Sequence, residues 1–174
     1  MGKFLAILIL VSALVGGVAM YYLQVYGFYD EITASGPDDV QIVALATGQS
    51  EALPHVAFQA IDSDSSPIRY RACFRTDLSL EQMRATYEPY ARAVPLVAPK
   101  WFDCFDARAL GAELEQGTAL AFMGTENVHY GIDRIVAVTT DGRGFVWQQI
   151  NRCGEVVFDG QPAPADCPTP PLEN

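Results

Sequence analysis

Arg134–Ile150, RIVAVTTDGRGFVWQQI, is the stretch whose reading decides the fold. Two apolar runs, Arg134–Thr139 and Phe145–Ile150, flank Asp141-Gly142-Arg143-Gly144. A Gly-rich turn of this kind between two strand-like runs predicts a β-hairpin, and so a sheet that is at least partly antiparallel. Upstream, Ile68–Arg75 alternates strictly. Ile68, Tyr70, Ala72 and Phe74 fall on one face of the predicted strand, and Arg69, Arg71, Cys73 and Arg75 on the other. Val40–Thr47 and His55–Ile61 read as two further strands, with Asp62–Pro67 as a turn.

Helical signals sit between the strands. Ser79 with Gln82 three residues on reads as a capping box, opening a short helix through Leu80, Met83 and Tyr87. Asp106 caps a second predicted helix, Ala107–Gln116, which Gly117 stops. Ala91–Lys100, with Pro95 and Pro99, reads as loop. Thr118–Met123 is predicted to be a short strand, His129–Ile132 gives no clear pattern, and Val156–Phe158 is expected to add a last strand. The fold class is α+β: one small domain, a mainly antiparallel sheet with two short helices against one face.

At the other end of the chain, Phe4–Leu23 (FLAILILVSALVGGVAMYYL) is an uninterrupted apolar run. Twenty residues at 1.5 Å rise each span roughly the 30 Å of a bilayer core. Tyr21, Tyr22, Tyr26, Phe28 and Tyr29 follow, a cluster suited to the membrane–water interface. A cleaved signal peptide would use Lys3, the first part of the run and an exit at Gly16-Gly17. The run, however, continues six residues further, which fits an uncleaved signal anchor. Lys3 lies on one side, Asp30 and Glu31 come first on the other, and no basic residue follows until Arg69. The positive-inside rule then leaves the N-terminus in the cytoplasm and the domain outside. Ser12 and Gly16, and likewise Ala13 and Gly17, are four apart, a small-residue spacing that admits a second helix. The expected organisation is a cytoplasmic end at 1–3, a single-pass anchor at 4–24, an interfacial segment and linker at 25–39, the domain at 40–160 and a Pro-rich tail at 161–174.

The chain has 174 residues, 21 acidic and 11 basic. Lys3 is the only charged residue before Asp30, so the part beyond the anchor carries a formal net charge of −11. Such a surface repels phosphate backbones, and nucleic acid is not an expected partner. The four cysteines, Cys73, Cys104, Cys153 and Cys167, lie beyond the anchor without C-x-x-C spacing. An even count in an exported domain favours disulfides over a metal site. Of three possible pairings, Cys73–Cys104 and Cys153–Cys167 are favoured because each joins neighbours in the chain. The first would draw the WFDCFD segment over the arginine face and set Asp103 or Asp106 near Arg71 or Arg75.

Four blocks, YYLQVYGFY, SPIRYRACF, WFDCFDA and YGIDRIVAV, run through nearly the whole chain. Through them it resembles a family of uncharacterised, small, single-pass membrane-anchored bacterial proteins, a domain of unknown function. The resemblance implies a bacterial envelope setting and carries over no activity and no functional residues. Members of such families sometimes bear the label of histidine kinase. This chain has neither an ATP-binding glycine motif nor room for a kinase domain.

Sites of chemistry are few. Arg69, Arg71 and Arg75 on one strand face are candidates for clamping an anionic ligand. His129, in NVHYGID beside Tyr130 and Asp133, has the neighbours of a general base. DSDSS at 62–66 has alternating oxygens but lacks the glycine and glutamate of a calcium loop. No metal and no cofactor is expected. The sequence therefore points to a bacterial inner-membrane protein with a periplasmic domain. It would act by binding, as an accessory or assembly factor of a membrane protein complex; the alternative is a ligand-binding or enzymatic domain that uses the arginine face.

Overall fold

In a computed structural model, residues 2–171 are described. Met1 and residues 172–174, parts of the expected cytoplasmic end and Pro-rich tail, lie outside the described residues. Helix α1 spans Gly2–Tyr22, and one π-helical turn, Leu23–Gly27, extends it. Together they are long and apolar enough to cross a membrane, and none of their side chains is buried.

Beyond α1 the chain is an α+β domain. Its strands are β1 (Asp30–Ile32), β2 (Gln41–Val43), β3 (Ser50–Ala52), β4 (Val56–Asp62), β5 (Arg71–Arg75), β6 (Ala119–His129), β7 (Ile132–Thr139) and β8 (Arg143–Ile150). Its α-helices are α2 (Leu80–Thr86), α3 (Ala107–Gln116) and α4 (Arg152–Phe158). Six strands form one antiparallel sheet in the order β1-β4-β5-β8-β7-β6, and β2 and β3 form a separate hairpin. The Asp141-Gly142 turn joins β7 to β8, with Val136 opposite Val146 and Ala137 opposite Phe145.

Strand alternation divides the core in two. Ala72 and Phe74 of β5, Val136 and Val138 of β7, and Val146 of β8 pack on one face with the β2–β3 hairpin and Met83 of α2. Cys73, Ile135, Ala137, Phe145 and Trp147 pack on the other, under Leu110 of α3 and under Phe102 and Phe105. A sheet covered on both faces has nearly continuous apolar strands, and β7 is buried along most of its length.

Several expectations are corrected here. The helices α2 and α3 lie on opposite faces of the sheet, not on one. Val156–Phe158 is helical, because the Asn151 side chain accepts from Cys153 N and Gly154 N and starts α4. Val40–Thr47 is not one strand: the chain turns after β2, and Gly48 N donates to Ala44 O. β6 runs on to His129 past two irregularities in register, well beyond Met123. Within the segment read as linker, β1 pairs as an edge strand with Ala60–Asp62 of β4.

Candidate functional site

The two ends of the sheet differ, and the register shows which is which. Ile61 of β4 lies beside Glu31 of β1 and beside Arg71 of β5, and Arg71 lies opposite Trp147. This end adjoins α1. Arg75 and Arg143 pair at the far end, about 13 Å along the strand at 3.3 Å per residue.

At the near end Arg71 is almost wholly buried, with 4% of its surface exposed. Its guanidinium donates only to main-chain carbonyls: to Leu96 O at 2.8 Å, Val97 O at 3.2 Å, Ile68 O at 2.8 Å and Tyr70 O at 2.7 Å. It also lies 5.8 Å from the centre of the Phe105 ring. Burial pulls its pKa down to about 10, which still leaves it charged at neutral pH. The Cys73–Cys104 disulfide, Cα–Cα 6.3 Å, fastens the segment carrying Phe102 and Phe105 over this face. The carboxylates expected to pair with the arginines do not. Asp106 caps α3, accepting from Arg108 N and Ala109 N, and Asp103 is exposed.

The structure does not gather the four ligand-binding candidates. Arg69 lies over the ring of Tyr29 at 5.5 Å, Arg75 is exposed at the far end of β5, and His129 is exposed at the end of β6. Asp133, the carboxylate expected to serve His129, is buried and occupied. It accepts from Asn127 N at 3.0 Å, Asn151 Nδ2 at 2.8 Å and the Tyr90 hydroxyl at 3.2 Å. Burial and this carboxylate push Tyr90 up to about 12. The network lines a polar cavity of about 290 Å³ with Arg92 and Arg152 at its edge. The Cys153–Cys167 disulfide lies beside it and ties the tail to α4. Two of the three serines of DSDSS bond to each other: the Ser63 and Ser65 hydroxyls are 2.7 Å apart.

Two features escaped the sequence reading. The first is the join between α1 and the domain. Trp101 Nε1 donates to Val25 O at 2.6 Å, and its ring stacks on Tyr26 at 6.2 Å and meets Tyr29 edge-on at 6.1 Å. The aromatic runs on both sides were visible in the sequence; their meeting, 76 residues apart, was not. The second is a largely apolar groove of about 560 Å³ along the first half of β4, lined by Pro37, Leu53, His55, Val56 and Phe58 among others. β1 pairs only with Ala60–Asp62, so the β4 edge beside this groove is open, and Ala57 sits at a bulge with φ 53°. His55 Nδ1 lies 2.8 Å from Leu53 O, and its ring meets Phe58 and Phe74 edge-on. Nearby, the Ser35 hydroxyl and the Gly36 N–H hold Asp39 below the usual carboxylate range.

Among the described residues no group of three or more His, Cys, Asp or Glu side chains is placed to hold a metal ion. The small-residue positions of α1 are bare: no atom lies where a Cβ on Gly16 or Gly17 would make contact. Ser12 Oγ donates to Leu8 O within its own helix. Ala13, beside it, is exposed. A family model described as a family of unknown function (DUF6446) matches residues 40–168. No curated protein and no solved structure matches the chain.

Proposed function

The chain belongs to the DUF6446 family of unknown function, and we propose that it is a membrane-anchored binding protein of the bacterial envelope, an accessory or assembly factor of a larger membrane complex. In this reading α1 stays uncleaved in the inner membrane and the domain lies in the periplasm. The charge on either side of α1 and two disulfides, which belong to oxidising compartments, support that placement.

The observation that carries the proposal is the join at Trp101. A free catalytic domain on a tether gains nothing from being fixed to its tether. A factor that positions another membrane protein does, because its binding surfaces then hold a set height and orientation above the bilayer. The bare faces at Ser12/Gly16 and Ala13/Gly17 offer a second helix a close approach within the same membrane.

The test has two stages. An alkaline phosphatase fused after Asn174 is expected to be active; an inactive fusion places the domain in the cytoplasm and ends the proposal. Purification of the full chain in mild detergent should then yield a membrane protein in fixed proportion. Gly16→Leu or Trp101→Ala should lower that proportion. Recovery of the chain alone, together with turnover or tight binding of a small molecule, would favour the second reading, a ligand-binding or enzymatic domain. The groove at His55 is the observation in that reading's favour.

A further inference from the structure

Ala91–Lys100 is the loop that Arg71 holds. Its course is fixed at three places: Arg71 binds the Leu96 and Val97 carbonyls, Gln149 Oε1 accepts from Val94 N at 2.9 Å, and Gln149 Nε2 donates to Arg92 O at 2.9 Å. Ala93, Leu96 and Ala98 pack inward on the core. Val94 and Val97 are left outside, 61% and 81% exposed. Val97 is thus barer than any large apolar residue of α1, the helix built for lipid. A slack loop can expose a valine by chance. This one is held by hydrogen bonds at three places with its valines turned out.

Two further features say what covers them. The first is position. The loop runs directly into Trp101, which is bonded to Val25 O in the last turn of the apolar span. Four residues of chain reach at most about 14 Å, so Val97 lies within that distance of a tryptophan at the end of the membrane helix. The second is charge. Between Glu88 and Asp103 the only charged residues are Arg92 and Lys100, in a part of the chain whose net charge is −11. Both are exposed, and Arg92 has only a 3.8 Å contact with an equally exposed Glu155. Apolar tips flanked by basic residues and a tryptophan match the chemistry of a bilayer's interfacial layer.

We propose that the Ala91–Lys100 loop is a second membrane contact, with Val94 and Val97 in the interfacial layer of the bilayer that α1 spans and Arg92 and Lys100 at the lipid phosphates. The loop and the join at Trp101 then fix the domain at two points, so that it lies against the bilayer and does not stand off it. The inference rests on reading α1 as the anchor, and the experiment separates the two.

Full-length protein is placed in nanodiscs of phosphatidylcholine and phosphatidylglycerol, some lipids carrying a nitroxide near the head of the acyl chain. Single cysteines at Val97→Cys, Val94→Cys, Val18→Cys in α1 and Thr140→Cys at the far hairpin each receive an environment-sensitive dye. Val18 is expected to be strongly quenched by the lipid nitroxide and Thr140 only at background level. Val97 and Val94 should be quenched several-fold more than Thr140 and shielded from aqueous iodide. If Val18 is quenched while Val97 and Val94 behave like Thr140, the loop faces water or a protein partner and the inference is overturned. If Val18 also stays unquenched, the anchor reading falls and takes the inference with it.

Discussion

Two arginines at opposite ends of one sheet show two ways to satisfy a cation. At the far end Arg143 is met by carboxylates: Nη2 lies 2.8 Å from Glu113 and Nε 2.8 Å from Asp141, with 38% of the side chain exposed. At the end that adjoins α1, Arg71 is buried and met by carbonyls alone. The first arrangement neutralises charge on a surface. The second fixes main chain, because each carbonyl that Arg71 holds belongs to a stretch without regular structure of its own. A surface pair contributes little to stability, whereas a buried charge or carbonyl left without its partner costs several kcal/mol. The sheet's two ends should therefore respond very differently to substitution.

The largest effect is expected from Arg71→Ala. It leaves the buried Tyr70 carbonyl and the part-buried Ile68 and Leu96 carbonyls without their donor and should cost on the order of 3–5 kcal/mol, at about 1–3 kcal/mol for each carbonyl left unsatisfied. Denaturant unfolding of the full chain in detergent measures it. Arg71→Lys should recover only part of the loss, since an ammonium cannot fan out to carbonyls on both sides as a guanidinium does. Removal of the Cys73–Cys104 disulfide, with a sequence separation of 31, should cost about 3–4 kcal/mol in the chain-entropy picture. Both changes release the same covering segment, so their losses should sum to less than two independent ones. Strict additivity would mean that cage and disulfide hold separate structures.

The remaining disulfide and a glycine come next. Cys153–Cys167 closes a loop of about 15 residues, for which roughly 3 kcal/mol is expected. That figure applies to a tail with few other fastenings, so reduction should loosen α4 and residues 159–168 more than the sheet. Hydrogen exchange would show it. At the far end, a Cβ on Gly144 would sit 2.1 Å from the outer edge of the Phe74 ring, which occupies that space from the neighbouring strand. Gly144→Ala must displace a buried ring and should cost about 1–3 kcal/mol. Phe74→Leu in the same chain should relieve part of that. If Gly144→Ala is neutral, the ring is not locked there.

What the sequence made legible follows from how local each signal is. The hairpin at Asp141-Gly142, the Ser79–Gln82 capping box and the Asp106–Gly117 helix are set by residues within a few positions of each other, and all are present. The alternation of Ile68–Arg75 was readable too, and it sorted Tyr70, Ala72 and Phe74 from Cys73 correctly, although the strand itself is only Arg71–Arg75 and Ile68–Tyr70 lie outside regular structure. The partner of Arg71 was not. Charge suggested Asp103 or Asp106, but the loop carbonyls that hold the guanidinium carry no signature in sequence, because every residue has one. Asn151 as a helix cap was missed because the apolar Val156–Phe158 suggested a strand and α4 has only seven residues. The join of Trp101 to Val25 depends on where the whole domain rests, which no local pattern records.

The smallest effect belongs to Asp141, and it sharpens the contrast through pH. A hydrogen bond from the Thr139 hydroxyl, and then the Arg143 guanidinium, hold its carboxyl at about 2, against an ordinary 3.8. The folded state therefore binds its proton less readily than the unfolded state. The contribution is complete above the ordinary value and is lost as pH falls from 3.8 to about 2. With 58% of the side chain exposed, solvent screens the pair, and the stake is about 0.2–1 kcal/mol, not the full shift. Asp141→Asn should lower stability slightly at neutral pH, flatten the acid limb of a stability–pH curve, and matter less as salt is added. The deficit of Arg71→Ala should show no such slope in acid, because a guanidinium at about 10 keeps its charge throughout that range. Two curves decide it: wild type minus Asp141→Asn must shrink toward pH 2, and wild type minus Arg71→Ala must stay level over the same range. A level Asp141 difference would mean that the carboxylate is not held by its neighbours. A sloping Arg71 difference would mean that a carboxylate, after all, shares the carbonyl cage.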